Sequence, residues 1–381
     1  MKLVTIIGAR PQIIKSAALS RAIKKQYANE VQEVLVHTGQ HYDDNMSQAF
    51  FDELQIPRPD YNLHVGSASH GVQTAHMTEG IEAILIKEQP DFIILYGDTN
   101  STLAGAIAAA KIHVPIVHIE AGLRSFNKNM PEEINRIVCD HCSTLLFTPT
   151  KAGLENLKRE GFPMDNDGPY TIDNPKIYHC GDIMYDNSLH FADIAEKKTD
   201  IIQHFELSDK SFVLATIHRD SNTDYPKRLN AIFNALLHLS EECQIALPLH
   251  PRTAKFMKTN LAESLQKQIL DCPNIKLLPP VSFLEMTALE RHAQLVMTDS
   301  GGVQKEAYFF QKPCIILRPE TEWIEIVQTG NAILADANEN RIIQGWAHFK
   351  DNPPTKFPEI FGDGHAAEFI LEQILLANAT K

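Results

Sequence analysis

The chain has 381 residues, enough for two or three domains, and 44% of them are hydrophobic, as is typical of globular proteins with packed cores. The formal net charge of −13 argues against nucleic-acid binding, which requires a basic face, but it permits a small anionic ligand held by a few local cations. The six cysteines are scattered, and the one close pair, Cys139 and Cys142, has no partner pair that would suggest zinc. No stretch approaches the roughly 20 apolar residues of a membrane span, so we expect a reduced, cytoplasmic protein without a metal site.

Short β-branched runs alternate with amphipathic stretches along the whole chain. The first series of predicted strands comprises residues 3–7, 33–37, 92–96, 116–119, 145–148 and 176–180. The second series comprises residues 212–216, 246–249, 275–277, 295–297 and 314–317. This alternation indicates βαβ units with parallel sheets, and the two series predict an α/β protein with two doubly wound, Rossmann-like domains.

The predicted domain boundary lies near Gly181 and Asp182, directly after the last strand of the first series. The first domain would then span residues 1–182 and the second residues 183–361, while the final helical stretch, 366–377, is compatible with either. Ligands of open α/β sheets bind at the carboxyl ends of the strands. We therefore expect one ligand site, in a cleft between the two domains.

The loop after the first predicted strand reads GARPQ at positions 8–12, with Lys15 one helical turn further on. It is either an ordinary helix start with proline near its first position or an anion site, in which Arg10, Lys15 and backbone N–H groups meet a phosphate. The loop matches neither the G-x-G-x-x-G dinucleotide fingerprint nor the ATP-binding P-loop. The sequence therefore predicts no nicotinamide cofactor here.

Carboxylates occur at three successive strand ends or helix starts further along the chain. Asp98 could simply cap a helix, and one member of the pair Glu132 and Glu133 could serve a helix N-terminus. Glu120 is harder to explain in this way, because a carboxylate at the exit of an apolar strand is costly without a purpose. Together, Asp98, Glu120 and one member of the pair Glu132 and Glu133 form a candidate acid–base cluster.

The second half also carries polar residues at the ends of its strands. His218 follows one strand, and His250 and Arg252 follow the next; each is either structural or faces a phosphate. The segment TDSGGVQKE, positions 298–306, places Ser300, Gly301 and Gly302 between a strand and a helix, where bare N–H groups suit a diphosphate. Glu306, one turn into that helix, could accept hydrogen bonds from a ribose diol.

Together these motifs resemble the non-hydrolysing UDP-N-acetylglucosamine 2-epimerases, over nearly the whole chain. The matching landmarks, in chain order, are GARP with Lys15, GDT at 97–99, EAGLR at 120–124, PEE-x-NR at 131–136, HR at 218–219 and TDSGG-x-Q-x-E at 298–306. Each motif alone is weak. Six in the same order at compatible spacing are specific to this family.

The resemblance implies a GT-B architecture, with two Rossmann-like domains facing a cleft and the last helix, within about 362–381, packed on the N-terminal half. It implies inversion at C2 by elimination of UDP to a glycal and re-addition of UDP, with no cofactor and no metal. In this family Asp98, Glu120 and Glu132 match the acid/base carboxylates and His218 matches the catalytic histidine. The UDP-binding segment is matched by Ser300, Gly301, Gly302 and Glu306, and Arg10 and Lys15 match cationic site residues. Family members are commonly homodimers.

Two loops depart from the common family pattern. The first reads GARPQ where most members have GTRPE, so Gln12 stands in place of glutamate. In the second, TEWIE at 321–325 stands for TERPE, so Trp323 replaces an arginine that faces the ligand, although His250 and Arg252 could return a cation nearby. These variants resemble the branch that acts on UDP-2,3-diacetamido-2,3-dideoxy-glucuronic acid, an O-antigen precursor. The resemblance therefore favours this sugar over plain UDP-N-acetylglucosamine.

Two further comparisons concern activation and hydrolysis. Gln40, His41 and Gln73 match an activator site that many bacterial members use, whereas Asp43 and Val72 depart from it. Hydrolysing epimerases carry Arg-Ala-Asp in the first loop, where this chain has Arg-Pro-Gln. The remaining alternatives are a GT-B glycosyltransferase that uses a UDP-sugar donor and a non-catalytic sensor of nucleotide sugars.

Overall fold

The computed structural model describes residues 1–40, 51, 56–209 and 211–379, so His41 and Asp43 lie outside the described residues. The chain divides into two compact units: unit 1 comprises Met1–Asn187 with Glu359–Lys381, and unit 2 comprises Ser188–Pro358. The division lies a few residues beyond the predicted boundary at 182, because a continuous helix, Ile183–Lys198, runs through this part of the chain.

Unit 1 is built on a seven-stranded parallel sheet with the strand order β3-β2-β1-β4-β5-β6-β7. Its strands are β1 Lys2–Ile7, β2 Gln32–His37, β3 Tyr61–Asn62, β4 Phe92–Tyr96, β5 Ile116–Ile119, β6 Leu145–Thr148 and β7 Lys176–His179. Its helices up to the division are α1 Arg10–Gln26, α2 His70–Glu88, α3 Asn100–Lys111, α4 Pro131–Cys142, α5 Lys151–Arg159 and α6 Ile183–Lys198. Every residue of β4, β5 and β6 is buried, as expected for parallel strands covered by helices on both faces.

Unit 2 has a six-stranded parallel sheet with the strand order β10-β9-β8-β11-β12-β13. Its strands are β8 Phe212–Thr216, β9 Gln244–Pro248, β10 Ile275–Leu278, β11 Leu295–Thr298, β12 Cys314–Ile316 and β13 Ala332–Leu334. Its helices are α7 Ile201–His204, α8 Asp220–Thr223, α9 Pro226–Leu239, α10 Pro251–Asn260, α11 Glu263–Asp271, α12 Phe283–His292, α13 Gly301–Phe309, α14 Ile324–Gln328 and α15 Glu339–Asp351. In both sheets the order reverses beside the first strand, at the point where open α/β sheets bind ligands.

The predicted α/β class with two doubly wound parallel sheets is confirmed. All of the predicted strands are present, with ends that differ by one or two residues. The edge strands β3 and β13 were not predicted, because runs of two and three residues are too short to show a period. No helix among the described residues has the length and hydropathy needed to cross a membrane.

The last helix, α16 Ala366–Ala379, completes the core of unit 1. Its buried side chains, among them Ile370 and Ile374, belong to one hydrophobic cluster with residues of α1, β1 and β4. Asp186 in α6 holds the start of this helix, since its two carboxylate oxygens accept hydrogen bonds from the first two backbone N–H groups of α16 at 3.1 and 2.7 Å. An aspartate far away in sequence therefore caps the helix.

We expect Asp186→Ala to lower the free energy of unfolding by about 2 kcal/mol at pH 5, because two buried N–H groups lose their acceptor. Burial raises the pKa of Asp186 to about 6. The stabilising contribution of a group with a raised pKa is lost as the pH rises through that value, so the effect of the substitution should be smaller at pH 8. Urea unfolding at both pH values measures this difference.

The matched control is Asp363→Ala, since the Asp363 side chain is 71% exposed and also accepts a hydrogen bond from a nearby backbone N–H. This variant should stay within about 0.5 kcal/mol of the parent protein at either pH. Equal losses for the two variants would contradict the capping role of Asp186.

Candidate active site

Lys15 in α1 lies next to Gly97 and Glu120, which are in the loops after β4 and β5. The ammonium group of Lys15 forms an ion pair with the carboxylate of Glu120, and each side chain is 12% exposed. Gly97 lies directly beneath this pair: a Cβ atom on it would come within 3.1 Å of Glu120 Oε2 and 3.2 Å of Lys15 Nζ. Glu120 itself has a φ of +74°, a conformation that residues with side chains rarely adopt. Such strain is typical of functional positions.

Asp98 lies in the loop between β4 and α3 and is not the cap of that helix. Thr99 is the N-cap, and its hydroxyl accepts a hydrogen bond from the N–H of Thr102. The carboxylate of Asp98 is instead paired with the guanidinium of Arg136 at 2.5 Å, and the carbonyl of Asp98 accepts a hydrogen bond from the amide of Asn135. The Asp98 side chain remains 30% exposed. The prediction that Asp98 could cap the helix is therefore wrong. Its carboxylate is fixed by Arg136 and remains accessible to solvent.

The two glutamates at the start of α4 have different environments. Glu133 is 1% exposed, and its carboxylate accepts hydrogen bonds from the N–H groups of Ser125 and Phe126 at 2.8 and 2.9 Å. Burial alone would raise the pKa of Glu133, but these N–H groups and Arg136 lower it. Glu132 is exposed in the first turn of α4. Glu133 is thus the structural member of the pair, and Glu132 is the accessible one.

Gln12 fixes the loop between β1 and α1. Its side-chain oxygen accepts hydrogen bonds from the N–H groups of Gly8 and Ala9, and its NH₂ group donates to the carbonyl of Tyr96 at 2.9 Å. The side chain is 2% exposed and joins the ends of β1 and β4. Arg10, the first residue of α1, is exposed.

In unit 2, Asp299 organises the corresponding edge of the sheet. It is fully buried at the end of β11, and its carboxylate accepts hydrogen bonds from the N–H groups of His218 and Arg219, each at 3.1 Å. Asn222 donates a further hydrogen bond to it. The His218 ring is 38% exposed, and partial burial, with His250 and Arg219 nearby, lowers its pKa although Asp299 acts in the opposite direction. His218 is therefore held at its backbone while its ring remains accessible.

His250 and Arg252 have different roles. The His250 ring caps α10 by accepting a hydrogen bond from the N–H of Arg252, and it lies 5.5 Å from the ring of His218, centroid to centroid. The guanidinium of Arg252 is paired with Asp224 at 2.5 Å and also donates to Thr223. The structure therefore brings His250 to His218 and holds Arg252 in an ion pair within unit 2.

The serine–glycine segment forms the N-terminus of α13, as its pattern predicts. The hydroxyl of Ser300 is the N-cap and accepts from the N–H of Val303. Glu322 lies so close to Gly301 that a Cβ atom there would clash with the carboxylate. Arg318, whose side chain is 14% exposed, pairs with Glu322 at 2.8 Å, so a cation lies beside the positive end of this helix.

Trp323 is 7% exposed, and its ring covers a buried cation. The ammonium of Lys305, a residue that is itself 5% exposed, lies 4.3 Å from the centroid of the indole. The tryptophan that stands in place of the family's arginine therefore makes a cation–π contact within unit 2.

Glu290 and Glu306 are in contact next to the serine–glycine segment. Glu290 in α12 is 2% exposed, is hydrogen-bonded to Glu306 and has one oxygen without a partner. Burial and the neighbouring Glu306 raise the pKa of Glu290 well above its usual value. A glutamate with a raised pKa can donate a hydrogen bond to a neighbouring carboxylate and so orient it.

Comparison with known proteins identifies the family. The family model described as UDP-N-acetylglucosamine 2-epimerase matches residues 22–375. The chain belongs to the UDP-N-acetylglucosamine 2-epimerase family. The enzymes of this family are isomerases, and the predicted resemblance is confirmed.

Two curated relatives and one solved structure illustrate the similarity. A UDP-N-acetylglucosamine 2-epimerase homolog of Methanococcus maripaludis is 46% identical over 98% of this chain and 99% of its own length. The UDP-2,3-diacetamido-2,3-dideoxy-D-glucuronate 2-epimerase of Pseudomonas aeruginosa is 45% identical over the same shares. A UDP-GlcNAc 2-epimerase of Methanocaldococcus jannaschii, solved in complex with UDP-GlcNAc and UDP, matches with a TM-score of 0.80 and 39% identity, over 99% of this chain and 100% of that one. The fold of the chain is therefore of the GT-B type.

Sequence reasoning missed several residues that support this site. Asp299 lies inside a motif that was recognised, but its role depends on contacts with a loop about 80 residues away. Glu290 and Arg318 lie outside every recognised motif, and only the packing of α12 and of the loop after β12 brings them to α13. Among the described residues, no three His, Cys, Asp or Glu side chains are grouped as a metal site would require.

We expect Glu290→Gln to reduce the pH dependence of stability. The raised pKa of Glu290 means that the wild type loses stability as the pH rises through that value, whereas glutamine stays uncharged and can still donate to Glu306. From pH 5 to pH 9 the free energy of unfolding of the wild type should fall. The fall should be smaller in the variant, by at least about 1 kcal/mol. Glu263→Gln, at an exposed glutamate of α11, is the control and should follow the wild type. Parallel curves for all three proteins would show that Glu290 does not titrate in this way.

Proposed function

We propose that this epimerase inverts C2 of a UDP-2-acetamido sugar without hydrolysing it, by eliminating UDP and adding it back. One observation carries the proposal: Asp98 and Glu120 are carboxylates at the ends of neighbouring strands, each is held by a cation, and each remains partly exposed. This arrangement supplies two proton-handling groups on separate loops.

The chemistry requires such a pair because H2 leaves from one face of C2 and the new proton arrives on the other. The C2 proton is not acidic enough for simple deprotonation, so its removal is coupled to loss of UDP: a carboxylate takes H2, the C2–H electron pair forms the C1=C2 double bond, and UDP leaves with the electrons of the C1–O bond. In the return step the electron pair of the C1=C2 double bond takes up a proton at C2, on the face opposite to the one from which H2 left. An oxygen of UDP forms the new bond to C1. The electrons balance without an oxidant, and Asp98, Glu120 and Glu132 are the candidate acids and bases.

We assign UDP binding to unit 2 and proton transfer to unit 1. The N–H groups of Gly301 and Gly302 at the N-terminus of α13 suit the diphosphate, with Arg318 as an additional cation. Glu306, oriented by Glu290, would accept from the ribose hydroxyls. Arg10 and Lys15, which the family resemblance suggested, and His250 and Arg252, which the strand-end pattern suggested, complete the set, with His218 next to His250 as the catalytic histidine.

The preferred sugar is UDP-2,3-diacetamido-2,3-dideoxy-glucuronate, with UDP-N-acetylglucosamine as the second candidate. The relative from Pseudomonas aeruginosa is named for the first sugar and is 45% identical to this chain. The relative from Methanococcus maripaludis, 46% identical, is named as a homolog of the enzymes for the second. Homodimer formation and a cytoplasmic location stay predictions.

Incubating the enzyme with each UDP-sugar in D₂O tests the reaction. We expect deuterium at C2, formation of the manno epimer and no free sugar, followed by NMR. A higher kcat/KM for the diacetamido-uronic sugar would support the preferred substrate. A glycosyltransferase or a sensor would leave the C2 hydrogen unexchanged, so the absence of exchange with both sugars would refute the proposal.

Replacing the candidate carboxylates by their amides tests the assignment. Asp98→Asn, Glu120→Gln and Glu132→Gln should each lower kcat by about 10²–10⁴-fold, because a proton-transfer group is lost while the shape is kept. Binding of UDP, measured by calorimetry, should change little. Glu155→Gln, on an exposed face of α5, is the control and should retain full activity. Near-normal rates in any of the three variants would remove that residue from the mechanism.

A further inference from the structure

A buried network of charged side chains lies beneath the loops that carry Asp98 and Glu120. It consists of His118 in β5, Asp140 in α4 and Arg124 in the loop after β5, and each of these side chains is at most 1% exposed. We call these three residues the His118 network. None of them takes part in the chemistry proposed above.

The hydrogen bonds of His118 define its protonation state. Its Nε2 lies 2.8 Å from the carbonyl oxygen of Gly97, which can only accept, so Nε2 carries a proton. Its Nδ1 lies 2.6 Å from Oδ1 of Asp140. The other oxygen of Asp140 accepts from the N–H of Gly122 at 3.1 Å and pairs with the guanidinium of Arg124 at 2.7 Å, and both contacts favour the ionised carboxylate. With Asp140 ionised, Nδ1 donates as well, and the ring is an imidazolium.

The surroundings of the ring agree with this assignment. Burial alone would lower the pKa of His118, but Cys139 and Asp140 raise it well above its usual value. Burial alone would likewise raise the pKa of Asp140, and His118 and Arg124 hold it below its usual value. Glu160 supplies a second carboxylate, which accepts two hydrogen bonds of 2.7 Å from Arg124. Two cations and two carboxylates thus compensate one another.

The network joins two loops that the proposed reaction uses. Gly97 directly precedes Asp98, and Gly122 follows Glu120 by two residues; both glycines have positive φ angles, of 60° and 78°. We propose that His118 is a positioning residue, an imidazolium that ties the loop of Asp98 to the loop of Glu120 through Asp140. The inference rests on the proposed function, because it gives the two carboxylates their acid–base roles.

The tie matters because proton transfer depends on the separation of the two carboxylates. A misplacement of about 1 Å at a reacting group can cost about 10²-fold in rate. The proposed UDP-binding residues lie in unit 2, outside the network. Loss of the tie should therefore lower kcat and leave UDP affinity nearly unchanged. A purely structural ion pair would change neither quantity once the protein is folded.

The first test is spectroscopic and uses the ligand-free enzyme labelled with ¹⁵N-histidine. The ring resonances of His118 are those that disappear in His118→Gln. We expect both ring nitrogens to remain protonated from pH 6 to pH 8.5, whereas an exposed histidine loses a proton near pH 6.5. A non-protonated ring nitrogen at pH 7.5 would overturn the proposal. This result does not depend on turnover, so it stands or falls separately from the proposed reaction.

The second test is kinetic, with His118→Gln and Asp140→Asn. Each should lower kcat by about 30-fold or more, with KM and the Kd of UDP within about threefold. In Asp140→Asn, His118 loses its carboxylate partner while its ring stays buried, so kcat should acquire an ionisation at or below the ordinary histidine range that the wild type lacks. His141→Gln is the matched control, because His141 follows Asp140 in α4 and its side chain is 51% exposed. It should retain wild-type kcat.

The outcomes separate the two proposals. A wild type that shows no C2 exchange contradicts the proposed reaction but leaves the spectroscopic result in force. An active wild type whose folded His118→Gln and Asp140→Asn variants keep their kcat contradicts the positioning role. If His118→Gln does not fold, the pH profile of Asp140→Asn and the ring resonances, assigned as those that shift in Asp140→Asn, decide the question.

Discussion

A buried carboxylate has to be satisfied by hydrogen bonds, and in both units this requirement shapes the loops at the carboxyl ends of the central strands. Asp140 in unit 1 and Asp299 in unit 2 are fully buried; Asp140 accepts the N–H of Gly122 in the loop after β5, and Asp299 accepts the N–H groups of His218 and Arg219 in the loop after β8. These N–H groups lie beyond the sheet ladder and would otherwise lack acceptors. The arrangement is the same in both units. A buried carboxylate fixes the backbone of a loop that follows a strand, and side chains of that loop remain available to a ligand.

The proposed proton-transfer groups differ from these structural carboxylates in how they are held. Asp98 and Glu120 are each paired with a cation and stay partly exposed, whereas Asp140 and Glu133 are buried and accept from several fixed donors. A buried carboxylate with several fixed donors is costly to protonate, since each donor favours the charged form. A partly exposed carboxylate can be reached by a ligand. The difference in exposure therefore separates the residues that hold the site from those that could act in it.

Much of the fold was predictable because buried parallel strands read as short β-branched runs, and the family motifs lie where such strands end. Three features could not be predicted from local sequence patterns. The choice between Glu132 and Glu133 depends on where the N–H groups of Ser125 and Phe126 point. The cap of α3 is Thr99 and not its neighbour Asp98, since adjacent residues compete for one helix end. The network around His118 joins residues from three separate segments, and no local pattern marks it.

The two departures from the family motif have local physical causes. The NH₂ group of Gln12 donates to the carbonyl of Tyr96, and an ionised glutamate at this position would set two acceptors against each other. The change to glutamine therefore suits the hydrogen bonds that connect the ends of β1 and β4.

An arginine in place of Trp323 would set a second cation beside the buried ammonium of Lys305, whereas the indole face attracts that ammonium. Residues 305 and 323 thus act as a pair. Because Trp323 contacts Lys305, any effect of residue 323 on substrate preference has to be argued from the two residues together.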